Sequence, residues 1–196
     1  MLIYFQGLKL EKTMTAKIDI QIKDAEIPKE FFEIKQPAHL IRADEEAIEI
    51  AKKLSEEFKK EASIRDHERR LPLIEVNKYS QSGLWAINIP KAFGGAGVSY
   101  KTLAEVVKTI SSADPSLGQI AQNHWVFLEH IRLDASKEQQ QFYFDKVLQG
   151  ERFGNAFSEK GSKNVAELTT RIEFDLDGNG IINGQKFFAT GRQASI

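Results

Sequence analysis

The chain has 196 residues, 41% of them hydrophobic, with 27 basic and 28 acidic side chains, enough to bury the core of one domain and part of another. The near balance of charge leaves no electrostatic footprint for nucleic acid or an anionic membrane, and the lack of cysteine excludes a disulfide scaffold, a thiolate metal site and a cysteine nucleophile. No apolar run reaches the roughly 18 residues that cross a bilayer, and the start lacks a basic region followed by an apolar core; a cytoplasmic globular protein is expected.

Tyr4-Phe5-Gln6-Gly7 has the form left by a protease-cleavable purification tag, so residues 1–13 stand apart and 14–42 read as an amino-terminal extension. From Asp44, the positions Ala47, Ile50, Ala51, Leu54, Phe58 and Ala62 recur at helical spacing, predicting one amphipathic helix that ends before Pro72. A short helix over 73–81 follows, closed by Gly83. Residues 84–90 are a short apolar stretch, and Gly94-Gly95-Ala96-Gly97 a glycine-rich loop before a helix with Ser99 as N-cap. Asp114-Pro115 predicts an N-cap and first-turn proline for a helix to about Ile131, and Ser136-Lys137-Glu138-Gln139 a capping box for a helix to Leu148. After Gly150-Glu151, residues 152–157, 168–174, 181–182 and 185–190 are short, β-branched or aromatic, and separated by Gly and Asn, as strands are. Helices followed by strands predict an α+β chain, with a helical domain over 43–150 and a partial β-domain over 151–196.

Several motifs invite chemistry that their details refuse. Asp175-Leu176-Asp177-Gly178-Asn179-Gly180 matches the first half of a calcium loop, but the bidentate carboxylate required at its twelfth position is Lys186. A hairpin turn is expected instead. The glycine loop lacks the third glycine of a dinucleotide fingerprint and the Lys-Ser/Thr of a P-loop, so it reads as a tight turn. The charge run Arg65 to Arg70 reads as a solvated face. His39, His67, His124 and His130 are scattered, and no metal site is expected. Asn123-His124 is a polar pair in an otherwise apolar helix; the histidine either is hydrogen-bonded in the core or faces a ligand cavity.

The ordered run Ser82-Gly83-Leu84-Trp85-Ala86-Ile87-Asn88-Ile89-Pro90, Phe93-Gly94-Gly95-Ala96-Gly97, Asp114-Pro115-Ser116-Leu117-Gly118 and Gly150-Glu151 resembles the acyl-CoA dehydrogenase superfamily. The resemblance implies an all-helical amino-terminal domain followed by the first strands of an antiparallel, flavin-holding β-domain, with the chain truncated before the carboxyl-terminal helical bundle. Ala156-Phe157-Ser158-Glu159 and Gly184-Gln185-Lys186-Phe187-Phe188-Ala189-Thr190-Gly191 look like the family's two flavin-contacting segments. The positions that match are Phe157 and Ser158 on the first and Phe188 and Thr190 on the second, giving hydrogen-bonding groups and an apolar wall for an isoalloxazine ring.

Lys160-Gly161-Ser162-Lys163-Asn164-Val165 stands where dehydrogenases carry a CoA-ester signature. Gly150 to Ala156 and Gln122-Asn123-His124 are more similar to sulfur-acquisition oxidoreductases and dibenzothiophene-monooxygenase-like enzymes. That branch implies reduced FMN from a separate reductase, a flavin hydroperoxide, and oxygen transfer to a small organosulfur substrate. Asn123 and His124 would then be catalytic groups over the flavin, in a homotetramer without nucleic-acid or membrane partners. The competing implications are an FAD-dependent acyl-CoA dehydrogenase and a non-catalytic fragment acting as an interaction module.

Overall fold

The computed structural model describes residues 38–159, 168–176, 180–187 and 190. Six helices occupy the first part: α1 (Asp44–Phe58), α2 (Ala62–Glu68), α3 (Leu73–Gln81), α4 (Tyr100–Ala113), α5 (Pro115–Asp134) and α6 (Lys137–Leu148). Two strands follow, β1 (Arg171–Phe174) and β2 (Gly180–Asn183). The strands pair antiparallel with Arg171 opposite Asn183 and Phe174 opposite Gly180. The Asp175 motif therefore lies in the connection of a hairpin, not between two helices.

The helices begin where their caps dictate. Asp114 Oδ1 accepts from the backbone N–H groups of Ser116 and Leu117, satisfying first-turn donors of α5 that have no partner inside the helix. Ser136 and Gln139 form the expected reciprocal capping box of α6. Ser99 caps α4 through the Thr102 N–H, while Asp44 at the start of α1 accepts from the Ser99 and Thr102 hydroxyls at 2.8 and 2.6 Å. One carboxylate thus pins the first turns of two packed helices.

The single long helix expected before Pro72 is instead two, broken at residues 59–61. Arg65, fully buried, turns back on the end of α1: its Nη2 donates to the Phe58 carbonyl at 2.9 Å and to Asp114 at 2.7 Å, and its Nη1 to Glu75 at 2.8 Å. A carbonyl at a helix end needs a partner, and here a guanidinium from the next helix supplies it, bent into place by two carboxylates. Arg65 is therefore an exception to the solvated reading of its charge run, whereas residues 66–70 are exposed.

The core lies among α1, α4, α5 and α6. Ala47, Ala51, Leu54 and Phe58 face Val106 and Ile110 on α4, then Leu117, Ala121, Trp125, Leu128 and Ile131 on α5, with Phe144 and Val147 from α6. Where α4 crosses α5, a Cβ on Gly118 would stand 2.9 Å from Ser111 Cβ and 3.1 Å from its Cα. That helix pair approaches too closely for any other residue.

Residues 84–89 run through the middle of this core as one turn of 3-10 helix, Leu84–Ala86, followed by irregular backbone. Leu84, Ile87 and Ile89 are completely enclosed, and Trp85 nearly so. A buried irregular segment must find partners for its carbonyls or forfeit the cost of burying them. The glycine loop provides two: Val98 N–H donates to Ile87 and Gly97 N–H to Ile89. Two more of the loop's donors are also taken, Gly94 by Lys91 and Gly95 by Pro90, so these glycine amides are not presented to a phosphate. Gly95 has a steric duty as well, because a Cβ there would meet the Ile89 carbonyl oxygen at 2.2 Å.

Candidate flavin-binding edge

The remaining carbonyls of the buried segment explain the polar interruption of α5. Trp125 Nε1–H donates to Leu84 O at 3.2 Å. Its neighbour His124 bonds Trp85 O through Nε2 at 2.9 Å. The other ring nitrogen, Nδ1, receives the backbone N–H of Phe153 at 3.0 Å. Because a backbone nitrogen can only donate, Nδ1 is the acceptor, and the proton must reside on Nε2, which donates to Trp85. The geometry is that of a hydrogen-bonded core histidine, with both nitrogens committed to backbone and no exposed surface.

Electrostatics agree with that role. Burial, with the positive charge of Arg152 as a lesser contribution against the Trp85 bond, drives the His124 pKa down to about 3. The ring stays neutral at physiological pH, where a proton on Nδ1 would break the Phe153 bond. It packs 4.8 Å from Trp85 and 5.7 Å from Phe153, centroid to centroid.

His124 thereby fastens the segment leaving α6 to the helical core, and its neighbours fasten the same segment on either side. Arg152, buried and pushed down to about 10 by desolvation, donates through Nη1 to Asn77 Oδ1 and Ser80 Oγ at 3.0 Å each. Its guanidinium lies 6.0 Å from the Trp85 ring centroid. Asn155 Nδ2 donates to Asn123 Oδ1 at 3.3 Å, and Asn123 Nδ2 in turn reaches the Gln119 carbonyl at 3.4 Å. Residues 152–155 are a strap tied to α3 and α5 at three successive points.

Beyond the strap, the two segments expected to contact flavin meet each other. Asn155 N–H donates to Thr190 O at 2.8 Å, and Phe187 N–H to Ser158 O at 2.8 Å. Three residues forward along one segment correspond to three back along the other, so they run antiparallel, with Ser158 opposite Phe187 as a bridge. Asn123, Asn155 and Thr190 are thus joined in a chain of contacts beside the middle of α5. Ser158 lies three residues further along the same segment as Asn155 and is half-buried, and Phe157 beside it leaves 48% of its surface open. Phe188 lies outside the described residues.

The edge therefore offers two hydroxyl side chains, two amide side chains and an apolar ring. That donor set suits the polar rim and flat face of an isoalloxazine better than a metal ion. Among the described residues no group of three His, Asp or Glu is placed to hold a metal, and no helix is long and apolar enough to cross a membrane.

Glu159 and Lys186 are the residues of this edge that sequence reasoning passed over. Lys186 Nζ lies 2.6 Å from Glu159 Oε1 and donates to Phe157 O at 3.1 Å. The Glu159 carboxylate also receives Thr169 N–H and Oγ1–H at 2.5 and 2.6 Å and Thr170 N–H at 3.0 Å. Lys186 first, then the two threonines, hold its carboxyl far below the ordinary range. A signal existed: the same lysine that disqualifies the calcium loop is the partner of the glutamate beside Ser158.

Comparison with known proteins decides the family. Residues 44–151 match the acyl-CoA dehydrogenase N-terminal domain. The chain belongs to the acyl-CoA dehydrogenase family. Within it, the chain is 32% identical over 154 residues to a dibenzothiophene monooxygenase of Rhodococcus erythropolis, covering 78% of this chain and 37% of that protein. Two solved structures superpose on it with a TM-score of 0.66. FMN-bound TdsC from Paenibacillus sp. A11-2 is 32% identical, covering 73% of this chain and 36% of that one. The methanesulfinate monooxygenase MsuC of Pseudomonas fluorescens is 30% identical, covering 76% and 37%. The chain spans little more than a third of the length of these relatives. The family member seen here is thus α+β, a helical amino-terminal domain running into antiparallel strands, of the dibenzothiophene-monooxygenase-like branch.

Proposed function

We propose that the protein to which this chain belongs is a cytoplasmic, homo-oligomeric monooxygenase that uses reduced FMN from a separate reductase, and O₂, to oxygenate a small organosulfur compound. The observation that carries this reading is the antiparallel meeting of Asn155 with Thr190 and of Ser158 with Phe187, beside Asn123, in a chain similar to FMN-bound TdsC. FMN, when bound, supplies the electrons that activate oxygen.

The protein's share of the work is placement. Phe157 would wall the ring, a part that the family resemblance gives to Phe188 as well, while Ser158 and Thr190 offer hydrogen bonds at its edge. Asn123, whose amide is already oriented by Asn155 and Gln119, presents a neutral polar group from the helical side, suited to orient oxygen or substrate. His124 contributes at one remove: fully enclosed, it holds the strap and Trp85 in place instead of exchanging protons. Dibenzothiophene and methanesulfinate, named in the two relatives, differ greatly in size, so the substrate is proposed only as a class.

The decisive test supplies the full-length protein with reduced FMN, O₂ and either dibenzothiophene or methanesulfinate, and analyses the sulfur product by mass spectrometry. Incorporation of one oxygen atom from ¹⁸O₂ is the expected result. Bleaching of bound flavin by an acyl-CoA thioester, with no oxygenated sulfur product, would assign the protein to dehydrogenation instead.

A further inference from the structure

We infer that Glu159 and Lys186 form a clamp that positions Ser158 for the flavin, a role that rests on the FMN reading above. Lys186 Nζ bonds both the Glu159 carboxylate and the Phe157 carbonyl. A peptide unit is planar, and no cis bond is present among the described residues, so fixing the Phe157 oxygen also fixes the direction of the Ser158 N–H. The next peptide unit is fixed from the other side, where Ser158 O accepts from Phe187 N–H. Two consecutive residues, Lys186 and Phe187, therefore lock the peptide planes on both sides of Ser158.

Glu159 keeps Lys186 where it can do this. Its side chain is only 2% exposed and that of Lys186 21%, so the pair is shielded from the solvent that makes surface ion pairs weak. Its two oxygens collect four donors from two other segments of chain, Thr169–Thr170 and Lys186. Such charge-assisted bonds are the strong ones. A neutral side chain of the same shape would keep the space filled but lose the lysine, freeing the Phe157–Ser158 peptide to rotate. The two residues touch each other and backbone, and act on the flavin only through Ser158 and Phe157; they are positioning residues.

The experiment uses the full-length protein as Glu159→Gln, Lys186→Met and the conservative Lys186→Arg, with FMN affinity measured by flavin fluorescence and backbone exchange by hydrogen–deuterium mass spectrometry. Glu159→Gln and Lys186→Met are expected to weaken FMN binding about tenfold, as loss of a charge-assisted bond implies. They should also speed exchange of the peptide containing Phe187 while leaving α5 at the wild-type rate. Lys186→Arg should restore most of both. Unchanged exchange at Phe187 would overturn the clamp, and faster exchange with wild-type FMN affinity would overturn its positioning role. Failure of the wild-type protein to bind FMN would instead remove the flavin reading, and this role with it, before any variant is compared.

Discussion

The two halves of the molecule are held together by different forces. From residue 38 to Phe153 the chain is organised by burial: among the described residues, all of the enclosed apolar core belongs to this part. Among the described residues beyond it, no apolar residue is buried; Phe174 and Ile181 leave about half their surface open, 48% and 59%. What ties the described residues after Phe153 to one another and to the helices is a set of specific polar bonds, Asn155 to Asn123, Phe187 to Ser158 and Lys186 to Glu159. The contrast shows how a family can keep one scaffold and vary its chemistry. A helical core tolerates change by repacking, while an edge built from a few directional bonds changes with each residue that makes them.

The sharpest way to break this contrast is to cut polar ties inside the helical half, where they are buried. Asp114→Ala removes the α5 cap and leaves Arg65 short of one carboxylate; a loss of about 3–5 kcal/mol is expected in denaturant melts, the range for breaking a buried ion pair. At Asp114 burial works to raise the pKa, but Arg65 and the cap bonds prevail and hold it low. Restoring stability with Asp114→Asn, which keeps the cap and not the charge, should succeed only in part.

His124 gives the next largest effect, and it depends on pH. Its folded pKa of about 3 lies below the unfolded value of about 6.5. Between these values the unfolded chain holds a proton that the folded chain refuses, so stability rises with pH across that window. The contribution should be complete above about pH 6.5 and fall by a few kcal/mol as pH drops towards 3. Replacing His124 with Phe strands Trp85 O and Phe153 N–H, at a cost of about 2–5 kcal/mol, and should abolish this pH dependence. Retention of the acid slope in His124→Phe would show that another group causes it.

Smaller changes sharpen the boundary between the halves. Ser136→Ala removes the capping box of α6 and should cost about 1 kcal/mol. Phe174→Ser, on the half-open hairpin, should move stability by no more than about 0.5 kcal/mol. A loss comparable to that of His124→Phe would mean that the hairpin is held by burial after all.

The helical half was largely legible because its signals are local. Asp114-Pro115, Ser136 with Gln139, and the spacing of Ala47, Ala51, Leu54 and Phe58 each act within a few residues. Arg65 was not legible: nothing in its neighbourhood announces that its partners are Asp114 and Glu75, or that it would end α1. For the same reason His124 could be flagged as a polar group in an apolar helix but not assigned, since its partners, Trp85 and Phe153, lie 39 and 29 residues away. The edge proposed for the flavin was reached through family resemblance; Asn155, which meets Thr190, touches Asn123, and Ser158 meets Phe187. Glu159 and Lys186 each look like surface charges until the chain brings them together.

Both tryptophans of the chain, Trp85 and Trp125, sit in the helical core, one against His124 and the other against the Leu84 carbonyl. Intrinsic fluorescence should therefore be blue-shifted and should follow the melting of that core alone, remaining silent while the hairpin opens. A flavin bound against Asn123 of α5 would absorb that emission. Quenching of these two indoles then becomes a built-in optical gauge of cofactor occupancy, independent of turnover.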